Sequence, residues 1–369
     1  MNFENLRRNL RDLKTYFFYD PAKLKSYDRS FRNFYFIRSE EPYVLVIMES
    51  FEDLNVFSEY IGKDKEAVIF KFLPWSHESL EAVRRVQYFY NQHKLLYPKH
   101  QVHILCNTLE EKRLLFHVTP HVHFINQNTL LDERLFPPAP SGPRPFDVVY
   151  NGRLIWMKRQ HLLSALDGRI GLFGDTSLQT EWDYFQVLQK KIPHARMMHF
   201  QHQPYVKDIT LYDTIPFAPY EELAGRLNQA ATGAILSRAE GANYASAEYL
   251  LCGLPVVSTP SEGGRDVFFD PRYCRIVPPS APKIKKAVEE LIAMKIEPEF
   301  VRQETLKKMQ PHRERFREIL FRIHRKFRIE IDKEKYWDGV FVNKMLEFGS
   351  KFPETFETNI RIREAARIY

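Results

Sequence analysis

Two carboxylates stand out in the second half of the chain. Glu240 and Glu248 bracket the stretch Gly241-Ala242-Asn243 and have seven residues between them. Glu240 follows the apolar run Ala234-Ile235-Leu236, which places it in the loop after a strand. If a helix begins by Ala242, Glu248 lies about two turns further on, near the face of Glu240. Two such carboxyls could work as general acid and base, or they could accept hydrogen bonds from hydroxyl groups. The purely structural alternatives are a helix N-cap for Glu240 and an exposed helix position for Glu248.

Cations and glycines recur at neighbouring positions. Gly152 and Arg153 follow the apolar run Asp147-Val-Val-Tyr150, with Lys158 five residues after Arg153. Glycine lets the backbone approach an anion, arginine offers a fixed fork of donors, and lysine adds a second charge. A diphosphate is the natural partner of that set. The small residues Gly241, Ala242 and Asn243 expose backbone N–H groups where a helix would start, which is a second anion-favouring feature. Gly263-Gly264 follows the strand-like Pro255-Val-Val-Ser258 and supplies a third turn. In open parallel sheets, ligands bind beyond the carboxyl ends of the strands. Three such turns at one sheet edge therefore suggest a shared phosphate–sugar site. In that setting the two glutamates serve as a clamp for hydroxyls more naturally than as an acid–base pair.

The elements that must carry these residues alternate between strand and helix. Strands are expected at 33–37, 43–48, 67–72, 102–106 and 122–125, with helices at 52–61, 77–96 and 108–116. Five prolines between Pro137 and Pro145 then mark a linker and domain boundary. The alternation resumes with strands at 147–150, 170–173, 214–217, 234–236, 255–258 and 275–277. Helices are expected at 158–166, 177–191, 219–229 and 281–294, followed by a basic helical region and a last helix near 339–347. This is an α/β pattern with parallel sheets.

The 369 residues suit two domains, and a hydrophobic fraction of 44% with 27% charged residues is that of a globular protein. The net charge is +7, and between Lys295 and Arg328 eleven Lys or Arg residues face five acids. Such a region attracts anionic lipid, nucleic acid or acidic polysaccharide, or is simply a solvated helix face. Residues 1–14 could add a short basic amphipathic helix. Cys106, Cys252 and Cys274 are far apart in or beside apolar runs and read as buried free thiols. Neither a signal-peptide core nor a run of some 20 apolar residues occurs, so a cytoplasmic protein is expected, peripheral to a membrane at most.

The order and spacing of Gly152-Arg153, Lys158, Glu240, Glu248, Gly253-Leu-Pro-Val-Val257 and Gly263-Gly264 resemble those of GT-B glycosyltransferases, specifically family 4. The resemblance covers about 115 residues strongly and the rest of the chain weakly. It implies two Rossmann-like domains facing each other across a cleft: an acceptor domain over 1–140, a nucleotide-sugar domain over 141–335, and a tail over 336–369 returning to the first. The implied reaction is retaining and metal-independent, with a UDP- or GDP-sugar as donor substrate and no cofactor or metal. Arg153 and Lys158 would neutralise the diphosphate, Glu248 would hold the ribose, and Glu240 the donor sugar. Amides at Gly241, Ala242, Asn243, Gly263 and Gly264 would touch sugar or phosphate, and the base would lie against Phe217. His77, after the strand at 67–72, is the candidate on the acceptor side, whereas His103 and His123 read as packed. Arg265 departs from the acidic residue the family often carries there. The implied acceptor is a glycan or lipid-linked glycan at the inner membrane face. A DNA-base glucosyltransferase and a noncatalytic nucleotide-sugar-binding protein are the alternatives.

Overall fold

A computed structural model describes residues 31–174, 179–200, 213–215 and 220–351. The chain runs β1 (Phe31–Arg38), β2 (Tyr43–Ile47), α1 (Leu54–Ile61), β3 (Ala67–Phe72), α2 (Leu80–Leu96), β4 (His100–Cys106), α3 (Leu109–Leu115) and β5 (Val122–Phe124). There follow β6 (Phe146–Asn151), β7 (Ile170–Gly174), α4 (Gln179–Lys191), β8 (Arg196–Phe200), β9 (Asp213–Ile215), α5 (Tyr220–Leu227), β10 (Ala230–Ile235), α6 (Tyr244–Leu251), β11 (Val256–Ser258), β12 (Cys274–Ile276) and α7 (Ala281–Ala293). The last elements are α8 (Pro298–Lys326), α9 (Lys333–Val340) and β13 (Glu347–Lys351).

The chain divides into two compact units. One joins residues up to Leu130 with those from His312 onward, and the other is Leu131–Pro311. The proline-rich segment thus lies inside the second unit, and α8 passes from the second unit into the first at its internal Pro311. The first unit holds a six-stranded sheet in the order β13-β1-β2-β3-β4-β5. Strands β2 to β5 are parallel, while β1 is antiparallel to both β2 and β13. Every residue of β2 and β3 is buried, as expected when both faces of a parallel sheet are covered. On one face pack Leu54, Phe57 and Ile61 of α1, whose spacing puts them on one stripe. On the other lie Phe316, Ile319, Leu320 and Ile323 of α8. Ser79 and Thr108 cap α2 and α3 by accepting from Ala82 N and Glu111 N.

The second unit is a seven-stranded, wholly parallel sheet in the order β12-β11-β10-β6-β7-β8-β9. Its order reverses between β6 and β10, so the crevice at their carboxyl ends is the topological switch point. Gly233 in β10 is required for close packing: a Cβ there would stand 2.4 Å from the ring of Tyr249 on α6.

Two expected elements differ. The helix over 158–166 is instead two 3₁₀ turns, Trp156–Lys158 and Gln160–Ala165, split by Arg159 in the left-handed region at φ 57°. The helix near 339–347 ends at Val340, and the chain then turns to form β13. The expected helix over 1–14 lies outside the described residues.

Candidate donor site at the switch point of the second sheet

The loops after β6 and β10 are knitted together by backbone and phenol groups. Tyr150, buried at the end of β6, donates its hydroxyl proton to Lys158 O at 2.7 Å. The same hydroxyl accepts from Leu236 N at 3.2 Å. Arg238 N donates to Met157 O at 3.2 Å. These bonds bring Lys158 Nζ onto Glu240 Oε1 as an ion pair, with side-chain exposures of 13% and 7%. At the neighbouring strand, Tyr249 of α6 accepts from Asn151 N, which ties the start of the Gly152 loop to the helix that carries Glu248.

The third turn closes on the second. Glu240 N donates to Glu262 O and Glu262 N to Arg238 O, both at 3.0 Å, forming a short parallel bridge. Gly264 N donates to Gly241 O at 2.6 Å. Gly263 has φ 91°, and a Cβ there would lie 1.8 Å from Glu240 O. Glu240, Gly241, Ala242, Gly263 and Gly264 are therefore one packed unit, and all are buried. Asn243, not Glu240, caps α6, accepting from Ser246 N at 3.3 Å with its backbone at φ 61°. The helix begins at Tyr244, two residues later than the reading from sequence. Glu248 lies inside it at 3% exposure and is no surface residue. Its charge adds to burial in pushing up the thiol of Cys252 and the phenol of Tyr249.

Arg153 stands apart from the Lys158–Glu240 pair. Its Nε donates to Glu181 Oε1 at 2.7 Å and its Nη2 lies 2.6 Å from the same oxygen. Glu181 is a first-turn acid of α4 and 1% exposed, where the helix dipole favours its charge. The Arg153 side chain is 54% exposed. Gly152 has room to spare, since a Cβ there would meet nothing closer than 3.4 Å. Phe217 lies outside the described residues.

Two residues that matter to this site have weak sequence signals. Glu181 lies far from Arg153 in the chain and has no motif around it. Arg265 follows two glycines on the surface-prone side of a turn, yet it is 1% exposed. Its Nη1 donates to Ser237 O at 2.6 Å and Ser237 Oγ at 2.9 Å, and its Nη2 donates to Thr259 O.

In the first unit, His77 follows β3 as expected and is half-buried. Its Nδ1 lies 2.7 Å from Trp75 O, so that nitrogen carries the proton and Nε2 keeps its lone pair. Burial, with Lys71 nearby, lowers its pKa to about 4 and keeps the ring neutral. Lys71 is wholly buried, donating to Glu49 O and, at 2.5 Å, to Phe72 O. Burial lowers its pKa to about 7. His103 and His123 stack with rings 5.1 Å apart and are bonded to each other at 2.9 Å.

Part of the basic region is structural. Arg302 donates to Phe136 O, Leu251 O and Glu133 O at 2.5–2.8 Å, and Lys308 pairs with Asp270 at 3.0 Å. Arg315, Arg322, Arg325 and Lys326 on α8 are exposed. Among the described residues, no group of three or more His, Cys, Asp or Glu is placed to hold a metal ion. No described helix is long and apolar enough to cross a membrane. The three cysteines are free and buried.

No protein-family model and no curated protein matches the sequence. Solved structures do match the fold. TarM aligns with a TM-score of 0.51 at 11% identity, over 73% of this chain and 53% of that one. A mutant of S. aureus TarM in complex with fondaparinux, alpha-GlcNAc-glycerol and UDP aligns with a TM-score of 0.51 at 12% identity, over 73% and 54%. HepE of Anabaena in complex with UDP aligns more loosely, with a TM-score of 0.44 at 16% identity over 72% and 78%. The chain spans about half the length of the TarM chains it matches. Two Rossmann-like units of this kind define the architecture: an α/β fold of the GT-B type, as found in glycosyltransferases.

Proposed function

We propose that this protein is a glycosyltransferase that moves a sugar from a UDP- or GDP-sugar to a glycan or lipid-linked glycan, with retention and without a metal. The observation that carries this reading is the Lys158–Glu240 pair, held in the switch-point crevice beside the loop that presents Arg153. Glu181 uses two nitrogens of Arg153, and Nη1 remains to meet a phosphate oxygen. Lys158 spends one of its three donors on Glu240 and can turn the others to the diphosphate. Fixed cations of this kind stabilise the charge that grows on the leaving group as the glycosidic bond breaks. Glu240 would accept hydrogen bonds from the donor sugar, and Glu248 from the ribose. The backbone at Gly241, Ala242, Asn243, Gly263 and Gly264 would line the same pocket.

Retention would follow from attack on the leaving-group face, with the departing diphosphate taking the acceptor proton. His77, neutral with its Nε2 lone pair available, is the acceptor-side residue of this reading. The family-4 spacing of Gly152 to Gly264 supports the same assignment. The exposed cations of α8 would rest on anionic lipid at the inner membrane face, with the protein cytoplasmic.

The test is release of nucleoside diphosphate from a panel of UDP- and GDP-sugars, with and without glycan acceptors and with chelator present, and NMR of the product anomer. A charged hydrogen bond is worth about 1.5–3 kcal/mol, so Arg153→Ala should slow turnover on the order of ten- to a hundred-fold. Near-normal turnover of that variant would remove Arg153 from the site. Nucleotide binding without any transfer would make the protein a noncatalytic binder.

A further inference from the structure

Arg265 is a buried charge with no carboxylate bonded to it. It is 1% exposed, and every bond of its guanidinium goes to a neutral oxygen: Ser237 O, Ser237 Oγ and Thr259 O. Its Nε is buried with no partner. A buried ion is expensive unless it is paired, and removing three carbonyl or hydroxyl bonds would leave oxygens unsatisfied. A neutral brace would hold the same loops at lower cost, so the charge itself is the feature to explain. The bonds also fix its place: Ser237 lies at the start of the loop after β10, one residue past Leu236, and Thr259 begins the loop after β11. These are the loops that carry Glu240 and Gly263-Gly264.

The charges around it sharpen the point. Arg153 is already matched by Glu181, and Lys158 by Glu240. Both pairs are formally neutral before any ligand arrives. Burial opposes the charged form of Arg265, Glu240 and Asp266 favour it through space, and Arg159 adds a further positive charge. Arg265 is therefore the buried cation beneath the two loops to which no carboxylate is bonded, in surroundings that screen it poorly.

We propose that Arg265 is a positioning residue that braces the loops after β10 and β11 and supplies a buried positive charge recognised by the donor's diphosphate. This rests on the donor-site reading above. It predicts a preference for diphosphate over bare nucleoside that arises behind the loops, without Arg265 touching the ligand.

The test separates charge from bracing. Binding of UDP, GDP, uridine and guanosine is measured by calorimetry for the wild type, Arg265→Lys and Arg265→Gln, with thermal unfolding followed in parallel. Arg265→Gln should weaken the diphosphates on the order of ten-fold while changing the nucleosides about two-fold or less. Arg265→Lys, which keeps charge and loses most of the bonds, should recover most of the diphosphate affinity. Equal losses for diphosphate and nucleoside, or no rescue by lysine at matched stability, would overturn the electrostatic role. If Arg265→Gln does not fold, Arg265→Lys decides: a diphosphate-to-nucleoside preference close to that of the wild type supports the proposal, and a collapsed preference ends it. If the wild type binds neither UDP nor GDP, the donor-site reading itself fails and takes this proposal with it.

Discussion

Removing one partner of the Lys158–Glu240 pair should damage the fold more than removing both. The side chains are 13% and 7% exposed, so deleting one leaves the other charge largely desolvated. Breaking a fully buried pair costs about 3–5 kcal/mol; the partial exposure of Lys158 reduces this to roughly 2–4 kcal/mol. For a unit of this size that is roughly 5–15 °C in melting temperature. Lys158→Met leaves a carboxylate that Arg265 still attracts. Glu240→Gln leaves Lys158 and Arg265 without the carboxylate that both feel and should be worse, by about 1 kcal/mol. The double variant Lys158→Met/Glu240→Gln should regain at least half of the lost stability and none of the turnover. The assay is denaturant unfolding of all four proteins, combined as a double-mutant cycle, with sugar transfer measured on each. A coupling energy of about 2 kcal/mol is expected. Additivity within about 0.5 kcal/mol would mean that the pair does not exist in solution, and the reasoning would fall.

Two further outcomes follow from positions with opposite constraints. Gly263→Ala places a Cβ 1.8 Å from Glu240 O at φ 91°, so it should displace the turn, lower the melting temperature and abolish donor binding. Gly152→Ala, with 3.4 Å of clearance, should melt like the wild type; a large loss of stability would show that the β6 loop is tighter than described. Lys71 gives a pH signature. Its pKa is about 7 in the fold against 10.5 ordinarily, so between those pH values the unfolded chain holds a proton that the folded chain lacks. Raising the pH from 7 toward 10 therefore favours the fold, by at most roughly 1.4 kcal/mol per pH unit. The stability advantage of Lys71→Met over the wild type should shrink across that window. A pH-independent difference in unfolding free energy would refute the burial of an ionisable Lys71.

Much of the fold is legible in the sequence because parallel strands buried on both faces are written as apolar runs. Ala67–Phe72 reads as β3 to the residue, and Tyr43–Met48 differs from β2 by one. β8, Arg196–Phe200, is missed: its run of Arg196, Met197, Met198 and His199 carries neither alternation nor a continuous apolar core. The 3₁₀ turns at Trp156–Lys158 and Gln160–Ala165 read as one helix because a single left-handed residue, Arg159, breaks them with no glycine or proline to announce it. At the site, the residues next to glycines are legible by type and spacing. Their partners are not. Nothing local links Arg153 to Glu181, which is 28 residues away, or sends Arg265 inward rather than to water. Such pairings depend on which strands become neighbours, and that order is set by the whole sheet.

The pairing of β1 with β13 has a consequence for the order of assembly. The strand Glu347–Lys351 is synthesised long after Phe31–Arg38, and the entire second unit emerges between the two halves of the first. During synthesis, the unit Leu131–Pro311 can complete its own sheet while the earlier half still lacks the second half of α8 and its edge strand. The first unit to emerge is therefore the last to finish. A released chain ending just after Pro311 should already bind nucleotide while its β1–β5 half remains sensitive to protease.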